Sequence, residues 1–233
     1  MNIQSIASGS TGNCYVLDDG YSTLLIECGV PIARIRQSLK FKLSSVKGCI
    51  ISHEHGDHIK AAKDILSAGI EIYTSRGTAL TKGLYGHRVN HVKEGRPFSV
   101  GTFNITAFRV MHDAKEPFGF VVHSISSKET VLYITDTSYS PVKFNNLTHI
   151  MLEINYSDEI LAENYKSGRI NSSRGIRTTY NHMNLDTALD LLRKNWSPYL
   201  RQIWLLHLSD ANSDAAFFKS EVEKVTGSEV IIA

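Results

Sequence analysis

One short segment of the chain concentrates the residue types that bind metal ions. Residues 52–58 read SHEHGDH and contain three histidines and an aspartate, namely His53, His55, Asp57 and His58. Imidazole nitrogens and carboxylate oxygens at this density are typical ligands of Zn²⁺ or of another divalent first-row metal. A solvated polar loop would seldom combine so many ligand types at ligand spacing. The segment therefore predicts a metal site.

The elements around this segment explain how its side chains can converge. The apolar run 48–52 before it predicts a β-strand, and the stretch 59–67 after it predicts a helix. Three later β-type runs also end in a candidate ligand, which is His112, Asp136 or His207. Ligands at strand ends share one edge of a sheet, and such an edge gives a rigid set of side chains.

The remaining pattern predicts an α/β (α+β) fold in a single domain, residues 1–233. Further strands are predicted at 2–6, 13–18, 22–27, 71–74, 103–110, 119–124, 130–135, 149–153, 202–206 and 229–232. Further helices are predicted at 32–39, 78–84, 158–165, 185–194 and 213–226. Nothing resembles an interdomain linker.

Composition limits the class of protein. The chain has 233 residues, of which 42% are hydrophobic, and a net charge of +2, so it is not a strongly basic protein overall. Its apolar runs are too short to span a membrane, and its first residues do not form a secretory signal. Cys14, Cys28 and Cys49 form no metal-binding pair, and free thiols favour a cytoplasmic protein without membrane partners.

The motif His-x-His-x-Asp-His after a strand resembles the signature of the metallo-β-lactamase fold hydrolases. That resemblance implies a four-layer αβ/βα sandwich and two divalent metal ions, of which Zn²⁺ suits the ligands best and Mn²⁺ would also be accepted. The implied ligands of the two ions are His53, His55 and His112 for one, Asp57, His58 and His207 for the other, with Asp136 bridging them.

Motifs along most of the chain resemble the YycJ/WalJ subgroup of that family. They include SGSTGNC at 8–14, HDA at 112–114, TDT at 135–137, LEIN at 152–155, NHMN at 181–184 and HLS at 207–209. Small residues at 8–14 predict a tight loop that approaches a ligand, with Ser10 and Asn13 as substrate contacts. A plain hairpin turn is the alternative for this loop.

A second pair of residues points to phosphodiester chemistry. The resemblance to the phosphodiesterase branch, which includes RNase Z, implies that Glu153 orients His182 and keeps it cationic. His182 would contact the scissile phosphate or protonate the leaving oxygen, and Asp57 would accept a proton from the attacking water. A surface or helix-capping histidine is the alternative for His182.

The segment 165–180 predicts a basic loop beside His182. It contains Lys166, Arg169, Arg174 and Arg177 with two tyrosines and no acidic residue. Cations and aromatic rings together favour contact with a nucleic-acid strand. A solvated loop has the same composition.

Three acidic residues have expected supporting roles. Glu27 stands where members of the family often have aspartate, and that position supports the histidine segment. Glu54 and Asp113 are candidates to orient the ligand imidazoles.

The sequence thus predicts a dinuclear-metal phosphodiester hydrolase, and the subgroup implies a DNA exonuclease that acts from the 5′ end. A phosphodiesterase for small cyclic substrates, of the PhnP type, would share the metals, Glu153 and His182 but would not need the basic segment. An RNA-processing nuclease is a further alternative. A metal-binding accessory protein without activity is disfavoured by the complete ligand set.

Overall fold

The computed structural model describes the backbone of residues 1–233 and the side chains of all residues except Ser172 and Arg174. The chain divides into two compact units. Unit 1 contains residues 1–109 and 114–129, and unit 2 contains residues 110–113 and 130–233. The prediction of a single domain stays a prediction.

Unit 1 is built on a six-stranded sheet whose strands lie in chain order. The first three strands are antiparallel, and the last three continue the sheet in parallel. The strands are β1 (Asn2–Ala7), β2 (Cys14–Asp18), β3 (Thr23–Ile26), β4 (Val46–Ile50), β5 (Ile72–Thr74) and β6 (Val89–His91).

Short helices connect the parallel strands of this sheet. They are α1 (Ile32–Ser38), α2 (Gly56–Ile59), α3 (Ala62–Ser67) and α4 (Arg76–Thr81), and a 3₁₀ turn at Leu43–Ser45 precedes β4. Their apolar sides pack into one buried cluster that includes Ile35, Ile65 and all three cysteines, which are free thiols. Burial of this apolar surface holds the segments between the strands in place.

An antiparallel meander completes unit 1. Its strands are β7 (Phe98–Val100), β8 (Phe103–Arg109) and β9 (Phe118–Ser124). In β8 the buried residues Phe103, Ile105 and Ala107 alternate with more exposed ones, as expected for a sheet with one buried face.

Unit 2 contains four parallel strands in chain order, β10 (Thr130–Ile134), β11 (His149–Glu153), β12 (Gln202–Leu206) and β13 (Glu229–Ile232). Strand β11 is buried along its whole length, and β12 is buried over four of its five residues. Such continuous burial is typical of central parallel strands. Because parallel strands end at one edge, residues that follow β10, β11 and β12 become neighbours.

The helices of unit 2 are α5 (Asp158–Lys166), α6 (Ser172–Asn181), α7 (Leu185–Lys194) and α8 (Ala215–Thr226). Helix α7 begins where it was predicted, and the Asn184 side chain caps it by accepting a hydrogen bond from the Thr187 amide at 2.9 Å. Its buried residues Leu185, Ala188 and Leu192 lie on one face at helical spacing.

Two predictions of local structure are wrong. The segment 165–180 is not a loop, because α5 extends to Lys166 and α6 occupies residues 172–181. The predicted helix 59–67 is two short helices, α2 and α3, separated at residues 60–61. The short strands β6 and β7 were not predicted. Within the described chain, no helix is both long and apolar enough to cross a membrane.

One carboxylate ties the β2–β3 turn of unit 1 to its meander. Asp19 Oδ2 accepts hydrogen bonds from the hydroxyls of Thr102 and Ser124 at 2.6 Å and of Ser126 at 2.5 Å. Two backbone amides of its own turn donate to Oδ1. Partial burial opposes ionisation, but these hydrogen bonds outweigh it and hold the pKa of Asp19 well below its usual range.

We expect Asp19→Ala to lower the free energy of unfolding at pH 7 by about 2 kcal/mol, since hydrogen bonds to a charged group are lost. A carboxyl group with a depressed folded-state pKa stabilises fully above its unfolded pKa of about 3.9 and loses this effect as the pH falls further. The difference between wild type and variant should therefore narrow below about pH 4. Urea unfolding at several pH values measures it. Asp190→Ala, at an exposed carboxylate, is the control, and an equal effect of both variants at pH 7 would contradict the prediction.

Candidate functional site

The predicted ligand segment of unit 1 follows β4 and continues into α2. His53 and His58 are buried, whereas His55 and Asp57 are partly exposed. His53 Nε2 lies 3.1 Å from His55 Nδ1, and His58 Nε2 lies 3.3 Å from Asp57 Oδ2. The rings of His53 and His58 are 4.2 Å apart between centroids. The structure thus brings together the four residues that the sequence predicted as ligands in this segment.

One of these rings, that of His53, has a polar neighbour on each side. The Ser52 hydroxyl lies 2.8 Å from His53 Nδ1, on the side of the ring opposite to Nε2. The other nitrogen of the same ring, His53 Nε2, faces His55 Nδ1. Two ring nitrogens at hydrogen-bond distance either share one proton or hold a cation together, and the second arrangement is what a metal site requires.

Asn13 fixes this segment from the neighbouring loop, a role that the sequence did not predict. Its amide nitrogen contacts Asp57 Oδ2 at 3.3 Å, the Asp57 carbonyl at 3.4 Å and His58 Nε2 at 3.1 Å. Its amide oxygen accepts from the Gly9 amide and the Tyr15 hydroxyl. Asn13 is fully buried, whereas Ser10 is exposed. The role of Asn13 follows from the contact of its buried amide with two predicted ligands, and only the tertiary structure reveals that contact.

Glu27 supports the same segment from the end of β3, as its position in the sequence predicts. The Ser52 amide donates to Glu27 Oε1 at 3.1 Å, and Glu27 Oε2 lies 3.6 Å from His58 Nδ1. Glu27 adopts φ = 62°, a left-handed conformation that few non-glycine residues take. This backbone conformation directs the longer glutamate side chain to Ser52, so the replacement of aspartate keeps the support.

Glu54 does not orient an imidazole, contrary to the expectation. Its carboxylate accepts from the Thr78 hydroxyl at 3.1 Å and from the Lys115 amide at 2.7 Å. Glu54 therefore links the ligand segment to the start of α4 and to residue 115, which lies before β9. Its contribution within unit 1 is to hold backbone, not ring orientation.

The predicted ligands of unit 2 lie around one carboxylate, Asp136. His112 Nε2 lies 3.7 Å from Asp136 Oδ2, and His207 Nε2 lies 3.8 Å from Asp136 Oδ1. The Thr135 hydroxyl donates to Oδ1 at 2.8 Å. Each carboxylate oxygen thus faces a different imidazole, so Asp136 would be able to hold a cation together with either histidine.

The two imidazoles are oriented by asparagines. His112 Nδ1 lies 3.1 Å from the Asn181 carbonyl, and a carbonyl only accepts, so Nδ1 carries the proton and Nε2 keeps its lone pair. The amide nitrogen of Asn155 lies 3.2 Å from His207 Nδ1 and donates to the His207 carbonyl at 2.8 Å. The Glu153 carboxylate, which only accepts, lies 3.5 Å from the same Nδ1. Asp113 Oδ1 lies 3.4 Å from His112 Nε2, close to the ring as expected. The donor set of unit 2 therefore fits a metal ion.

Glu153 and His182 form the predicted pair. Glu153 is the last residue of β11 and is fully buried, and its Oε1 lies 2.5 Å from His182 Nδ1. The Thr137 amide donates to the other oxygen, Oε2, at 3.0 Å. The His182 ring also stacks on the His207 ring, with centroids 5.3 Å apart.

The environment of His182 favours its cationic form. Burial lowers its pKa, but the charge and hydrogen bond of Glu153 oppose burial, and with Asp136 and Asp113 they raise the pKa to about 9. Its side chain remains 21% exposed. Ligand atoms of Asp136, Glu153, His182 and His207 lie within 4.8 Å of one another. The pair therefore borders the predicted bridging carboxylate.

Of the basic residues predicted to contact substrate, Lys166 and Arg177 lie in helices, and Arg169 lies in the bend between α5 and α6. Arg177 is exposed on α6, and its Nη2 lies 3.8 Å from Asp113 Oδ2. Arg169 Nη1 donates to the Asn164 side chain at 3.3 Å, and Lys166 is exposed at the end of α5. The side chain of Arg174 lies outside the described residues. Their contact with substrate stays a prediction.

The chain was compared with known families and proteins. A family profile described as "Beta-lactamase superfamily domain" matches residues 22–199. The chain is 25% identical over 223 residues to "Exodeoxyribonuclease WalJ" of Streptococcus pneumoniae, covering 89% of this chain and 81% of the relative. It is 24% identical over 243 residues to "Exodeoxyribonuclease YycJ" of Bacillus anthracis, with 97% and 89% coverage. These relatives belong to the subgroup that the sequence motifs resemble.

Solved structures share the fold. The metallo-β-lactamase fold protein YhfI from Bacillus subtilis superposes with a TM-score of 0.77 at 19% identity, covering 99% of this chain and 95% of that protein. The short form of human tRNase Z gives 0.65 at 16% identity, with 100% and 96% coverage. The predicted metallo-β-lactamase fold of the α/β class is confirmed, and this fold implies divalent metal ions.

Gly29 lies against the backbone of the ligand segment at Asp57. A Cβ atom at Gly29 would lie 1.6 Å from the Asp57 carbonyl oxygen, whereas a Cβ at Gly56 would meet nothing within 4 Å. We expect Gly29→Ala to displace Asp57, to lower stability by about 1–3 kcal/mol and to reduce bound metal, whereas Gly56→Ala retains both. Thermal unfolding and metal analysis measure this. Equal behaviour of the two variants would contradict the role of Gly29.

Proposed function

Because the chain belongs to the metallo-β-lactamase superfamily and is a metal-dependent hydrolase, we propose that it hydrolyses phosphodiester bonds in DNA, as an exonuclease that acts from the 5′ end. The observation that carries this proposal is the contact between His182 and the buried Glu153. A cationic histidine oriented by a carboxylate suits an anionic phosphodiester and an alkoxide leaving group.

Two divalent metal ions, Zn²⁺ or Mn²⁺, are part of the proposal. Their ligands would be His53, His55, Asp57, His58, His112, Asp136 and His207. The ions would supply an attacking water that ionises near neutral pH and would offset the charge that develops on the phosphate. Support comes from the donor chemistry of each unit, described above, and from the family.

His182 is proposed to deliver the proton that the leaving oxygen needs. Its Nδ1 is engaged with Glu153 Oε1, so Nε2 is the atom that is available to substrate. Glu153 is held in turn by the Thr137 amide, which keeps the carboxylate from turning away. A fixed donor of this kind lowers the cost of bringing the proton to the alkoxide in the transition state.

Asp57 is proposed to accept a proton from the attacking water in addition to binding metal. Its Oδ2 is held by the Asn13 amide nitrogen at 3.3 Å. The same amide group also donates to the Gly9 carbonyl, which fixes the orientation of the Asn13 side chain. The buried Asn13 therefore orients the Asp57 carboxylate. This orientation would keep one oxygen of Asp57 available to the water.

DNA is the proposed substrate because both relatives described above carry the name exodeoxyribonuclease. The exposed cations Lys166 and Arg177 favour a nucleic-acid substrate, since they can neutralise backbone phosphates. Ser10, Arg169 and Arg174 complete the proposed substrate contacts. The buried thiols and the nuclease role support a cytoplasmic location.

Linear DNA labelled at either end tests the activity. We expect stepwise loss from the 5′ end in the presence of Mn²⁺ or Zn²⁺, and no loss with Asp57→Ala, because both proposed roles of Asp57 disappear. Digestion from the 3′ end would contradict the polarity. Hydrolysis of bis-p-nitrophenyl phosphate without any DNA cleavage would favour a small-molecule phosphodiesterase, and the same assay on labelled RNA distinguishes an RNA nuclease.

The catalytic pair has a separate expected signature. We expect His182→Asn to lower kcat on DNA by about 10²–10⁴-fold with little change in bound metal, because a proton donor is lost while the proposed ligands remain. Glu153→Gln should lower kcat by a smaller factor, since glutamine keeps a hydrogen bond but removes the charge. His87→Asn, at an exposed histidine, is the control. Unchanged kcat in His182→Asn would contradict the proposed role.

A further inference from the structure

A cleft of about 470 Å³ opens in unit 1 directly beside the ligand segment. Its volume is in the range of sites that hold a small molecule or one nucleotide. One wall comes from the loop between β1 and β2, and another from α2, α3 and the end of α4. The polar side chains that line it are those of Ser10, Thr11, Asp57, Lys60, Lys63 and Lys82.

The cleft carries a concentrated positive charge. Lys60 follows α2, Lys63 lies in α3 and Lys82 follows α4, so three helices contribute a lysine to the lining of one cavity. Among the described side chains, none of the three lysines takes part in an ion pair. Like charges in a shared cleft repel one another, and a bound anion relieves this repulsion.

The opposite wall offers neutral hydrogen-bond donors. Ser10 and Thr11 are exposed, and their loop is bounded by Gly9 and Gly12 with φ of 132° and 154°. Those angles suit glycine and bring the loop close to Gly29. Hydroxyls and ammonium groups around one cavity are the donors that bind a phosphate group.

We propose that this lysine cleft, formed by Lys60, Lys63 and Lys82 with Ser10 and Thr11, binds the terminal 5′-phosphate of a DNA strand. The inference rests on the proposed function and deepens it. A terminal phosphate carries a charge of about −1.5 to −2 at pH 7, whereas an internal phosphodiester carries one negative charge, so three cations favour the terminal group.

The position of the cleft explains why an end would be required. Asp57, the proposed ligand and proton acceptor, is part of its wall. A strand whose terminal phosphate occupies the cleft has its first phosphodiester bonds near Asp57. The cleft would thus measure the distance from the 5′ end to the scissile bond.

Paired substrates that differ only in the 5′ group test this proposal. Metal-loaded wild type and the triple variant Lys60→Gln, Lys63→Gln, Lys82→Gln are assayed on 5′-phosphorylated and 5′-hydroxyl DNA. We expect wild type to prefer the phosphorylated end by about tenfold or more in kcat/KM, the value of one or two charge-assisted contacts. The triple variant should lose this preference, because its kcat/KM should fall far more on 5′-phosphorylated DNA than on 5′-hydroxyl DNA. Lys42→Gln, at an exposed lysine outside the cleft, is the control.

A binding measurement separates this proposal from the proposed function. Fluorescence anisotropy is measured with oligonucleotides whose first linkage is an uncleavable methylphosphonate, with and without the 5′-phosphate. Tighter binding of the phosphorylated strand, lost in the triple variant only, supports the cleft even if no DNA is digested. Equal binding of both strands by wild type overturns it. An equal loss for both strands in the triple variant also overturns it, since the lysines would then contact internal phosphates.

Discussion

Each unit depends on a fully buried glutamate at the carboxyl end of a strand. Glu27 follows β3 and Glu153 ends β11, and neither is accessible to solvent. A buried carboxylate is costly unless it is paired and hydrogen-bonded. Both glutamates meet this requirement in the same manner, because each accepts a backbone amide from the segment after the neighbouring strand, Ser52 in unit 1 and Thr137 in unit 2. In unit 1 the other carboxylate oxygen of Glu27 faces His58 Nδ1, and in unit 2 the other oxygen of Glu153 faces His182 Nδ1.

This arrangement couples folding to chemistry. The strand pairing that closes the sheet also places the amide, and the amide fixes the carboxylate that orients the imidazole. A change in strand register would leave the glutamate charge buried without a partner, which is strongly unfavourable. The glutamates that position the proposed catalytic site therefore also favour the correct strand register. A buried asparagine in each unit also holds a predicted ligand. The Asn13 side chain donates to the carbonyl and the carboxylate of Asp57, and the Asn155 side chain donates to the carbonyl of His207.

Most of the site was predictable because its signals are local. His53 and Asp57 lie in one motif, and Asp136 and His207 each follow an apolar run, so spacing indicated candidate ligands, and the family resemblance supplied their expected roles. The lysine cleft was not predictable, because its residues come from the loop at 10–11 and from helices that reach residue 82, and only packing brings them together. The segment 165–180 shows the opposite error. Its glycines and polar residues favour a loop, but α6 forms there, as tertiary context overrides weak helix propensity.

Backbone strain marks the ends of the strands that carry the proposed chemistry. Glu27 and His207 both adopt left-handed conformations, with φ of 62° and 52°, and each such residue costs about 1–2 kcal/mol when it is not glycine. The hydrogen bond from Asn155 to the His207 carbonyl offsets this cost at one site, and the bonds from the Ser52 amide offset it at the other. Glycine would adopt either conformation without strain but has no side chain to place. Glutamate and histidine are therefore retained at a cost in stability, because the abrupt turn directs their side chains back along the edge of the sheet toward the imidazole or carboxylate that each one contacts.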